Sequence, residues 1–304
     1  MKRFLKKWFS LIGMLLILGA NAETLYAAPI TPEMSWSVGP RSLRPAQAGY
    51  AYVGGGYPLD VSISLDGKPL DVFWTGSGYM ALFAFDFDEP PGQHRLTIGA
   101  FNPGTQVVLD EVVIITVEEY EFPFEEVGLP VQLLRLLDRE LNEAELAMLD
   151  EVYAGRTQPL RWDWPYISPV PGELITSRFG GDRVYNGGMW ESYHTGTDFR
   201  RFVGDPVQAT ADGVVVVAEE VDIRGNLVII DHGYGVFSQY AHQSELLVQV
   251  GDHVKQGQTV GLAGGTGRSV GPHLHFEIIV NGITVDPIRW MALNPAFVTP
   301  REAP

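Results

Sequence analysis

The feature that most constrains this chain is a pair of histidines in Gly271-Pro-His-Leu-His-Phe-Glu277, which leads into an apolar run ending at Val280. Aromatic and β-branched residues favour a strand, and side chains two apart in a strand share one face. His273 and His275 are therefore predicted to point to one side of a sheet, while the apolar residues that alternate with them point into a core. Two imidazoles on one strand face are a moderate signal for a metal site.

A second polar pair lies upstream, in Tyr193-His-Thr-Gly-Thr-Asp198. Its His194 and Asp198 are four residues apart, which puts both side chains on one side of an extended or a helical segment. The two stretches together offer three imidazoles and one carboxylate, and a catalytic zinc site uses three such groups and leaves a position for water. His242 is a further candidate because it follows a strand-like segment and precedes a loop. Spacing alone does not say which of these residues bind a metal and which catalyse.

The amino-acid composition excludes several classes of function. The 304 residues are 45% hydrophobic and 19% charged, which is typical of a globular protein with room for two domains. The formal net charge is −16, and nucleic-acid binding is not expected because it depends on Lys and Arg neutralising phosphates. There is no cysteine, so thiolate zinc sites and cysteine nucleophiles are excluded. A metal must be held by histidine and carboxylate.

The first residues predict export. Basic residues precede the apolar run Trp8–Ala20, which is too short for a comfortable membrane span but suits a signal-peptide core. Ala22 ends a small-x-small cleavage site, a cut after Ala27 is the alternative, and an uncleaved anchor is less favoured. We predict a signal peptide at 1–22, an extracytoplasmic location (secreted, periplasmic or bound to the cell wall) and no stable membrane insertion after its removal.

The segment 31–121 is predicted to be a β-sandwich domain. Pro58–Leu65 alternates apolar and polar residues, Asp66-Gly67 is a hairpin signal, and Val107–Val117 is rich in β-branched residues. The expected style is immunoglobulin-like, although no cysteine pair supports that identification. His94 is interpreted as a turn residue without a chemical role.

The segment 122–174 is predicted to be a linker with a helical pair. Leucines up to Leu141 mark one helical face, and Asn142 with Glu145 is an N-cap signal for a second helix closed by Gly155. Acidic residues fill the other side, so docking on a neighbouring domain is favoured over a membrane role. A proline- and tryptophan-rich stretch from 160 completes the linker.

The segment 175–290 is predicted to be a β-rich domain, followed by a tail at 291–304. Its strands are predicted at Val214–Val217, Leu227–Ile230 and Leu246–Val250, with glycine-containing turns between them.

Two other histidines of this segment are given no metal role. His232 and His253 occur in turn contexts, so each is interpreted as a surface or locally hydrogen-bonded residue. The glycine-rich loop Gly264–Gly271 lacks the ending of a phosphate-binding P-loop and leads into a strand, so it is interpreted as tight turns flanking a groove. Asp182-Arg183 and Tyr185-Asn186 are predicted to line one wall of that groove.

The segment 175–290 resembles the lysostaphin/LytM family of zinc peptidoglycan endopeptidases, and the resemblance rests on many motifs in order. These motifs are Ser177-Arg-Phe-Gly180, His194-Thr-Gly-Thr-Asp198, Gly204-Asp-Pro-Val207, Ala211-Asp-Gly-Val214, Gly225-Asn-Leu-Val228, Tyr240-Ala-His242, Val250-Gly-Asp-His-Val254, Gly257-Gln258, Thr266-Gly-Arg-Ser269 and Gly271-Pro-His-Leu-His-Phe-Glu277. The fold class implied is mainly β, with an antiparallel LytM-type catalytic domain behind the sandwich and the short helical linker.

The resemblance also implies a division of roles. His194, Asp198 and His275 would bind one Zn²⁺ per chain, and His242 and His273 would be the catalytic imidazoles. Glu277 falls on the same strand face as the histidine pair, where it would either orient a ligand or face solvent.

The function implied is that of an exported zinc metalloendopeptidase that hydrolyses stem or cross-link peptides of peptidoglycan by metal-activated water. The alternative is a catalytically inactive LytM-type module that binds the wall or activates another hydrolase. The enzyme is favoured because all five metal and catalytic positions are present. A glycine bridge, a D-Ala cross-link and a stem-peptide bond are all compatible substrates, and no oligomeric state is predicted.

Overall fold

The structure of the protein, a computed structural model, describes residues 34–55, 58–172 and 174–293. The signal peptide predicted at 1–22 and the part of the predicted tail from 294 onward lie outside the described residues. The described chain is mainly β, as predicted, and none of its helices is long and apolar enough to cross a membrane.

The N-terminal part forms two antiparallel-rich sheets that enclose one core. A four-stranded sheet has the order β1-β3-β7-β6 and a five-stranded sheet has the order β2-β9-β8-β4-β5. The strands are β1 Met34–Gly39, β2 Ser42–Leu43, β3 Ala48–Gly55, β4 Asp60–Leu65, β5 Lys68–Pro69, β6 Val72–Trp74, β7 Gly78–Ala84, β8 Gly92–Asn102 and β9 Val107–Val117. Period-two alternation buries residues such as Leu96, Ile98 and Ile115 between the sheets. A sandwich is therefore observed, and its immunoglobulin-like style stays a prediction.

The predicted hairpin in the sandwich is present, but the interpretation of His94 was wrong. Asp66 and Gly67 both have positive φ, as a two-residue turn between β4 and β5 requires. His94 lies within strand β8, where its Nδ1 is 2.8 Å from Asp66 Oδ2.

The C-terminal part is built on a large antiparallel sheet. Its order is β11-β14-β22-β18-β17-β16-β20, with β23 paired to β22, and a small sheet β15-β21-β19 lies beside it. The strands are β11 Ile175–Ser177, β12 Asp182–Tyr185, β13 Trp190–Tyr193, β14 Thr197–Arg200, β15 Pro206–Gln208, β16 Gly213–Val221, β17 Gly225–Gly233, β18 Val236–Gln243, β19 Glu245–Leu246, β20 His253–Val254, β21 Thr259–Leu262, β22 His273–Val280 and β23 Ile283–Val285. Helix α2, Pro287–Ala292, crosses the predicted boundary at 290.

The strand carrying the histidine pair is central in the sheet. Leu274, Phe276 and Ile278 are fully buried, as the alternation predicts. The strand predicted at Leu246–Val250 was wrong beyond Leu246. Leu246 and Val248 pack against the core, but Leu247 and Val250 are exposed.

The helical segment differs from the predicted pair. It consists of a 3-10 helix, Val131–Leu137, followed by helix α1, Arg139–Tyr153. The N-cap is Asp138, which accepts a hydrogen bond from the Leu141 N–H at 3.0 Å, so the cap predicted at Asn142 was wrong. Asn142 and Glu145 are instead buried within the helix, and both contact the C-terminal domain.

The segments interpreted as linkers are built into the domains. Strand β10, Phe124–Val127, pairs in parallel with β12 and completes the sheet β10-β12-β13. Further along, Trp162 and Trp164 are buried in a core shared by the sandwich and the C-terminal sheet. The two domains therefore pack on each other through the polypeptide that joins them.

Candidate active site and metal centre

Three predicted site residues converge at the boundary of strands β14 and β22. Asp198 lies directly opposite His275 in the antiparallel register, and His194 lies just before β14. Asp198 Oδ1 is 3.0 Å from His194 Nε2 and 2.8 Å from His275 Nδ1, and the two nitrogens are 3.1 Å apart. Residues 77 positions apart in sequence thus meet because cross-strand partners share one face of the sheet.

The outer ring nitrogens fix the direction of both imidazoles. His194 Nδ1 donates to the carbonyl oxygen of Arg178 at 2.7 Å, which leaves the Nε2 lone pair facing inward. His275 Nε2 donates to Glu277 Oε1 at 2.8 Å, which leaves Nδ1 facing inward. Glu277 is only 1% exposed, so it is an orienting group rather than a solvent-facing glutamate.

This donor set fits a metal ion. A tetrahedral zinc site with bonds of about 2.0–2.1 Å has ligand atoms roughly 3.3 Å apart, close to the distances within this cluster. The three inward atoms are two lone-pair nitrogens and a carboxylate oxygen, which repel one another unless a cation or a proton lies among them. His194, Asp198 and His275 are all buried, so solvent cannot screen that repulsion.

The other two predicted residues lie beside this cluster. The ring centroids of His242 and His273 are 4.8 Å apart, and that of His242 is 5.8 Å from that of His275. His242 Nδ1 donates to the carbonyl oxygen of Thr266 and His273 Nδ1 to that of Gly271, each at 2.8 Å. In each ring Nε2 is the remaining nitrogen, and His273 Nε2 is 3.7 Å from Asp198 Oδ1.

A local irregularity sets the direction of His242. The register of β17 and β18 shifts so that two residues, Ala241 and His242, lie opposite Leu227 alone. His242 also has φ 61°, a left-handed backbone that is uncommon for residues other than glycine. A bulge of this kind re-aims a side chain at the end of a strand. The sequence gives no signal for it.

A carboxylate from strand β10 reaches the cluster through two intermediaries. Glu125 Oε2 accepts from Arg183 Nε at 2.9 Å, and Arg183 Nη2 donates to Asp198 Oδ2 at 3.1 Å. Glu125 Oε1 also accepts from the Ser177 hydroxyl at 3.0 Å, and Ser177 Oγ is 3.3 Å from His194 Nδ1. Two of the three converging groups are therefore held indirectly by one residue of the predicted linker.

The electrostatic setting is dominated by burial and by close opposite charges. Burial pulls the pKa of Asp198 upward, but the imidazoles of His194 and His275 outweigh it and hold that pKa well below its usual range. Burial, together with the neighbouring imidazoles of His273 and His275, holds the pKa of His242 well below its usual value. His242 is therefore neutral at physiological pH.

The cluster opens into a small pocket of about 60 Å³. Its lining includes His194, His242 and His275. Of the predicted groove wall, Arg183 and Tyr185 line this pocket, whereas Asp182 and Asn186 do not. Ile223, Arg224 and Arg268 also line it, and sequence reasoning gave none of these three a role. A larger pocket, of about 310 Å³, lies at the domain boundary and is lined by no histidine.

The two histidines that were given no metal role lie outside the cluster. His253 is exposed on strand β20. His232 is fully buried in β17 and bonds to the carbonyl oxygen of Asp212 and to the Ser238 hydroxyl, so its assignment to a turn was wrong. Its local hydrogen bonding agrees with the prediction.

Fold and site together define a class: a β-sheet domain whose buried His-Asp-His cluster could hold a metal ion beside two further imidazoles. Comparison with known proteins identifies the family. Residues 192–287 match peptidase family M23, a span that includes all five predicted site residues. The chain therefore contains a peptidase M23 domain of the lysostaphin/LytM type.

Individual relatives agree with that family. Residues of this chain are 42% identical to the peptidoglycan DD-endopeptidase ShyA of Vibrio cholerae over 38% of the chain and 27% of ShyA. They are 44% identical to the DD-carboxypeptidase/endopeptidase Mpg of Neisseria meningitidis over 40% of the chain and 28% of Mpg. The matched part thus spans little more than a quarter of these curated relatives.

A solved structure matches more of the chain. A protein described as a family M23 peptidase, from Pseudomonas aeruginosa, is 25% identical, with a TM-score of 0.58 over 82% of this chain and 94% of its own. The match is longer than the M23 segment alone, so the combination of sandwich and C-terminal domain has a structural counterpart.

Proposed function

We propose that this protein is an exported zinc metalloendopeptidase that hydrolyses peptide bonds in the peptides of bacterial peptidoglycan. The observation that carries the proposal is the convergence of His194, Asp198 and His275 in one buried cluster of an M23 domain. Because relatives are named peptidoglycan DD-endopeptidases, we favour a cross-link bond between two D-configured residues as the bond that is cleaved.

His194 Nε2, Asp198 Oδ1 and His275 Nδ1 would hold one zinc ion. The chemistry that zinc supplies in such a site is polarisation of the scissile carbonyl and a lowered pKa for the attacking water. The chain's own groups do the rest. Glu277 holds the lone pair of His275 inward, and Arg183 holds Asp198 through its outer oxygen.

The free Nε2 atoms of His242 and His273 would move the protons. Because each Nδ1–H is committed to a backbone carbonyl, each Nε2 can accept a proton from the attacking water or hydrogen-bond the oxygen on which charge develops. A protonated imidazole can then pass its proton to the departing amine. Both rings are pre-oriented by the loop 264–271, so little reorganisation is needed during the reaction.

The proposal is tested by digestion of purified sacculi. We expect release of soluble fragments by the untreated protein, loss of release with a chelator and recovery when zinc is added back. His275→Ala should be inactive, whereas His253→Ala, which alters an exposed histidine outside the site, should remain active. Mass spectrometry of the fragments identifies the bond.

Activity that survives both the chelator and His275→Ala would contradict the zinc mechanism. Zinc binding without hydrolysis of any sacculus would support the inactive-module alternative instead.

A further inference from the structure

Three arginines line the pocket beside the metal cluster, and one of them differs from the others in its charge partners. Arg183 contacts Glu125 and Asp198. Arg224 contacts Glu145 and Glu277, at 3.1 and 3.3 Å. Among the residues that the structure describes, Arg268 has no carboxylate within ion-pair distance.

The guanidinium of Arg268 is nevertheless held in place by neutral groups. Its Nη1 donates to Asn142 Oδ1 at 2.7 Å and to the carbonyl oxygen of Leu136 at 3.3 Å. Its charge also lies over the ring of Tyr185, with the central carbon 4.7 Å from the ring centroid. Both of these hydrogen bonds use Nη1, and within the described part of the chain Nε and Nη2 remain available to another acceptor.

The backbone that carries Arg268 is fixed as well. Its N–H donates to the carbonyl oxygen of Ile223 at 2.8 Å. The preceding Gly267 has φ 69°, and a Cβ on it would lie 2.4 Å from the nitrogen of Gly225, so only glycine fits this approach. The guanidinium is therefore presented from a rigid loop, the same loop whose Thr266 orients His242.

A partly buried cation without an ion-pair partner is costly. Burial lowers the pKa of Arg268, the nearby charges of Arg224 and Arg183 add to that effect, and Tyr185 and the more distant carboxylate of Glu145 only partly oppose it. Removing a charge from water is compensated only when an opposite charge or several hydrogen bonds replace the solvent. The chain is strongly acidic, at −16, so an uncompensated arginine beside the catalytic pocket is not part of a general basic surface.

We infer that Arg268 is a specificity-determining residue that binds a carboxylate of the peptide substrate next to the metal centre. This inference rests on the proposed function, which it deepens by naming the substrate class: a peptide with a free carboxylate close to the bond that is cleaved. The planar guanidinium offers Nε and Nη2 as a pair of donors, which matches the two oxygens of a carboxylate. The carboxylate is either the terminal one of a stem peptide or that of an acidic side chain.

The inference is tested with matched peptides. The probes are a D-alanyl cross-linked stem-peptide dimer and two derivatives, one with the terminal carboxylates and one with the side-chain carboxylates converted to amides. For the wild-type full chain with zinc we expect kcat/KM to fall about 10- to 100-fold when the recognised carboxylate is amidated, the range for a charge-assisted pair of hydrogen bonds. The derivative that shows the loss identifies the source of the carboxylate.

Three variants separate recognition from a structural role. Arg268→Met should lose kcat/KM on the free-carboxylate dimer and show little further loss on the amide. Arg268→Lys should keep part of the preference because it keeps the charge but not the paired donors. Asn142→Asp places a carboxylate beside Arg268 Nη1 and so gives the guanidinium a counter-charge within the protein. This variant should reduce the preference for the free-carboxylate dimer over the amide while the guanidinium stays in place. An equal loss on free and amidated peptides in Arg268→Met would overturn the inference.

A binding measurement distinguishes this inference from the proposed function. Calorimetric titration of the zinc-loaded chain with the product tetrapeptide, free or amidated, requires no turnover. Tighter binding of the free acid that disappears in Arg268→Met supports the inference even if no sacculus is hydrolysed. Hydrolysis with equal binding of both forms supports the proposed function and rejects the role of Arg268.

Discussion

Glu277 is a buried carboxylate that determines which ring nitrogen of His275 carries the hydrogen in the neutral imidazole. Its Oε1 accepts from His275 Nε2 and from the Thr195 hydroxyl, and Arg224 lies 3.3 Å away. Burial raises the pKa of this carboxyl, but the charge of Arg224 and the bond from His275 outweigh burial and lower it to about 2. The carboxylate therefore stays ionised and accepts the Nε2–H of His275, so in the neutral imidazole the lone pair is on the inward Nδ1.

We expect Glu277→Gln to weaken zinc binding about 10- to 100-fold, because the amide still accepts a hydrogen bond but carries no charge to raise the basicity of His275. Competition with a chromophoric chelator measures the affinity. Glu219→Gln is the control, since Glu219 is an exposed glutamate on strand β16. Equal affinities in the wild type and Glu277→Gln would show that Glu277 does not orient the ligand.

The buried His232 should make the free energy of unfolding depend on pH. Burial lowers its pKa to about 4, and the charges of Asp231 and Asp212 only partly oppose that effect. An unfolded chain takes up this proton near pH 6.5, whereas the folded chain takes it up only near pH 4. Stability should therefore be lost as pH falls from 6.5 towards 4, by up to about 3 kcal/mol from this group, and should not depend on it above 6.5.

The contribution of His232 is isolated by comparison with His232→Gln, which keeps a donor and an acceptor but does not titrate. Urea unfolding of both proteins across this pH range should give a free-energy difference that changes in favour of the variant as pH falls. A difference that stays constant with pH would contradict the buried neutral histidine.

At the scale of elements, strand β10 is the clearest departure from the predicted organisation. It lies in a stretch interpreted as linker, yet it pairs along its whole length with β12. Its Glu125 is partly buried and points to Ser177 and Arg183, whereas the next residue, Glu126, is exposed. Alternation along one short strand thus gives two neighbouring glutamates different surroundings.

This alternation supplies a matched pair of variants. Glu125→Gln should weaken zinc binding by about tenfold, the lower end of the range for such indirect partners, because Arg183 would no longer be held against Asp198. Glu126→Gln should bind zinc like the wild type. Chelator competition measures both, and equal affinities would show that β10 supports the fold without influencing the metal ligands.

Which elements could be predicted depends on how local their signals are. Strand β22 was predictable because its alternation and its histidine pair lie within eight consecutive residues. The resemblance singled out five side chains, which the fold brings together. Glu125 could not be found in this way, because its bonds reach residues 52 and 58 positions away through a parallel pairing without a local pattern. Arg268 was visible within a motif, but its missing counter-charge is a property of the packed structure alone.

On the scale of the whole molecule, the sandwich and the C-terminal domain share a core. Phe73 of the sandwich stacks on Tyr234 of the C-terminal domain, with centroids 4.5 Å apart, and Trp162 packs edge-on against Phe73. A second aromatic contact lies near the metal cluster, where Phe87 stacks on Tyr193, the residue before His194. These contacts predict that the two domains unfold together.

We expect Phe73→Ala to destabilise the protein by about 3–5 kcal/mol, because it opens a cavity in the shared core. Calorimetry should show one transition that moves as a whole to lower temperature. Val112→Ala, on the outer face of the sandwich, is the control and should change stability by less than about 0.5 kcal/mol, because Val112 is half exposed. Two separate transitions, with only one displaced, would contradict a shared core.

The parallel pairing of β10 with β12 has a practical consequence for building chimeras. Suppose that the segment moved into another protein started at Ile175, where the recognisable motifs begin. Arg183 would then lack Glu125, and the edge of β12 would be exposed. A graft that starts ahead of Phe124 and keeps helix α1 retains the carboxylates that neutralise Arg183 and Arg224. The segment that holds the candidate site together therefore begins further towards the amino terminus than its motifs suggest.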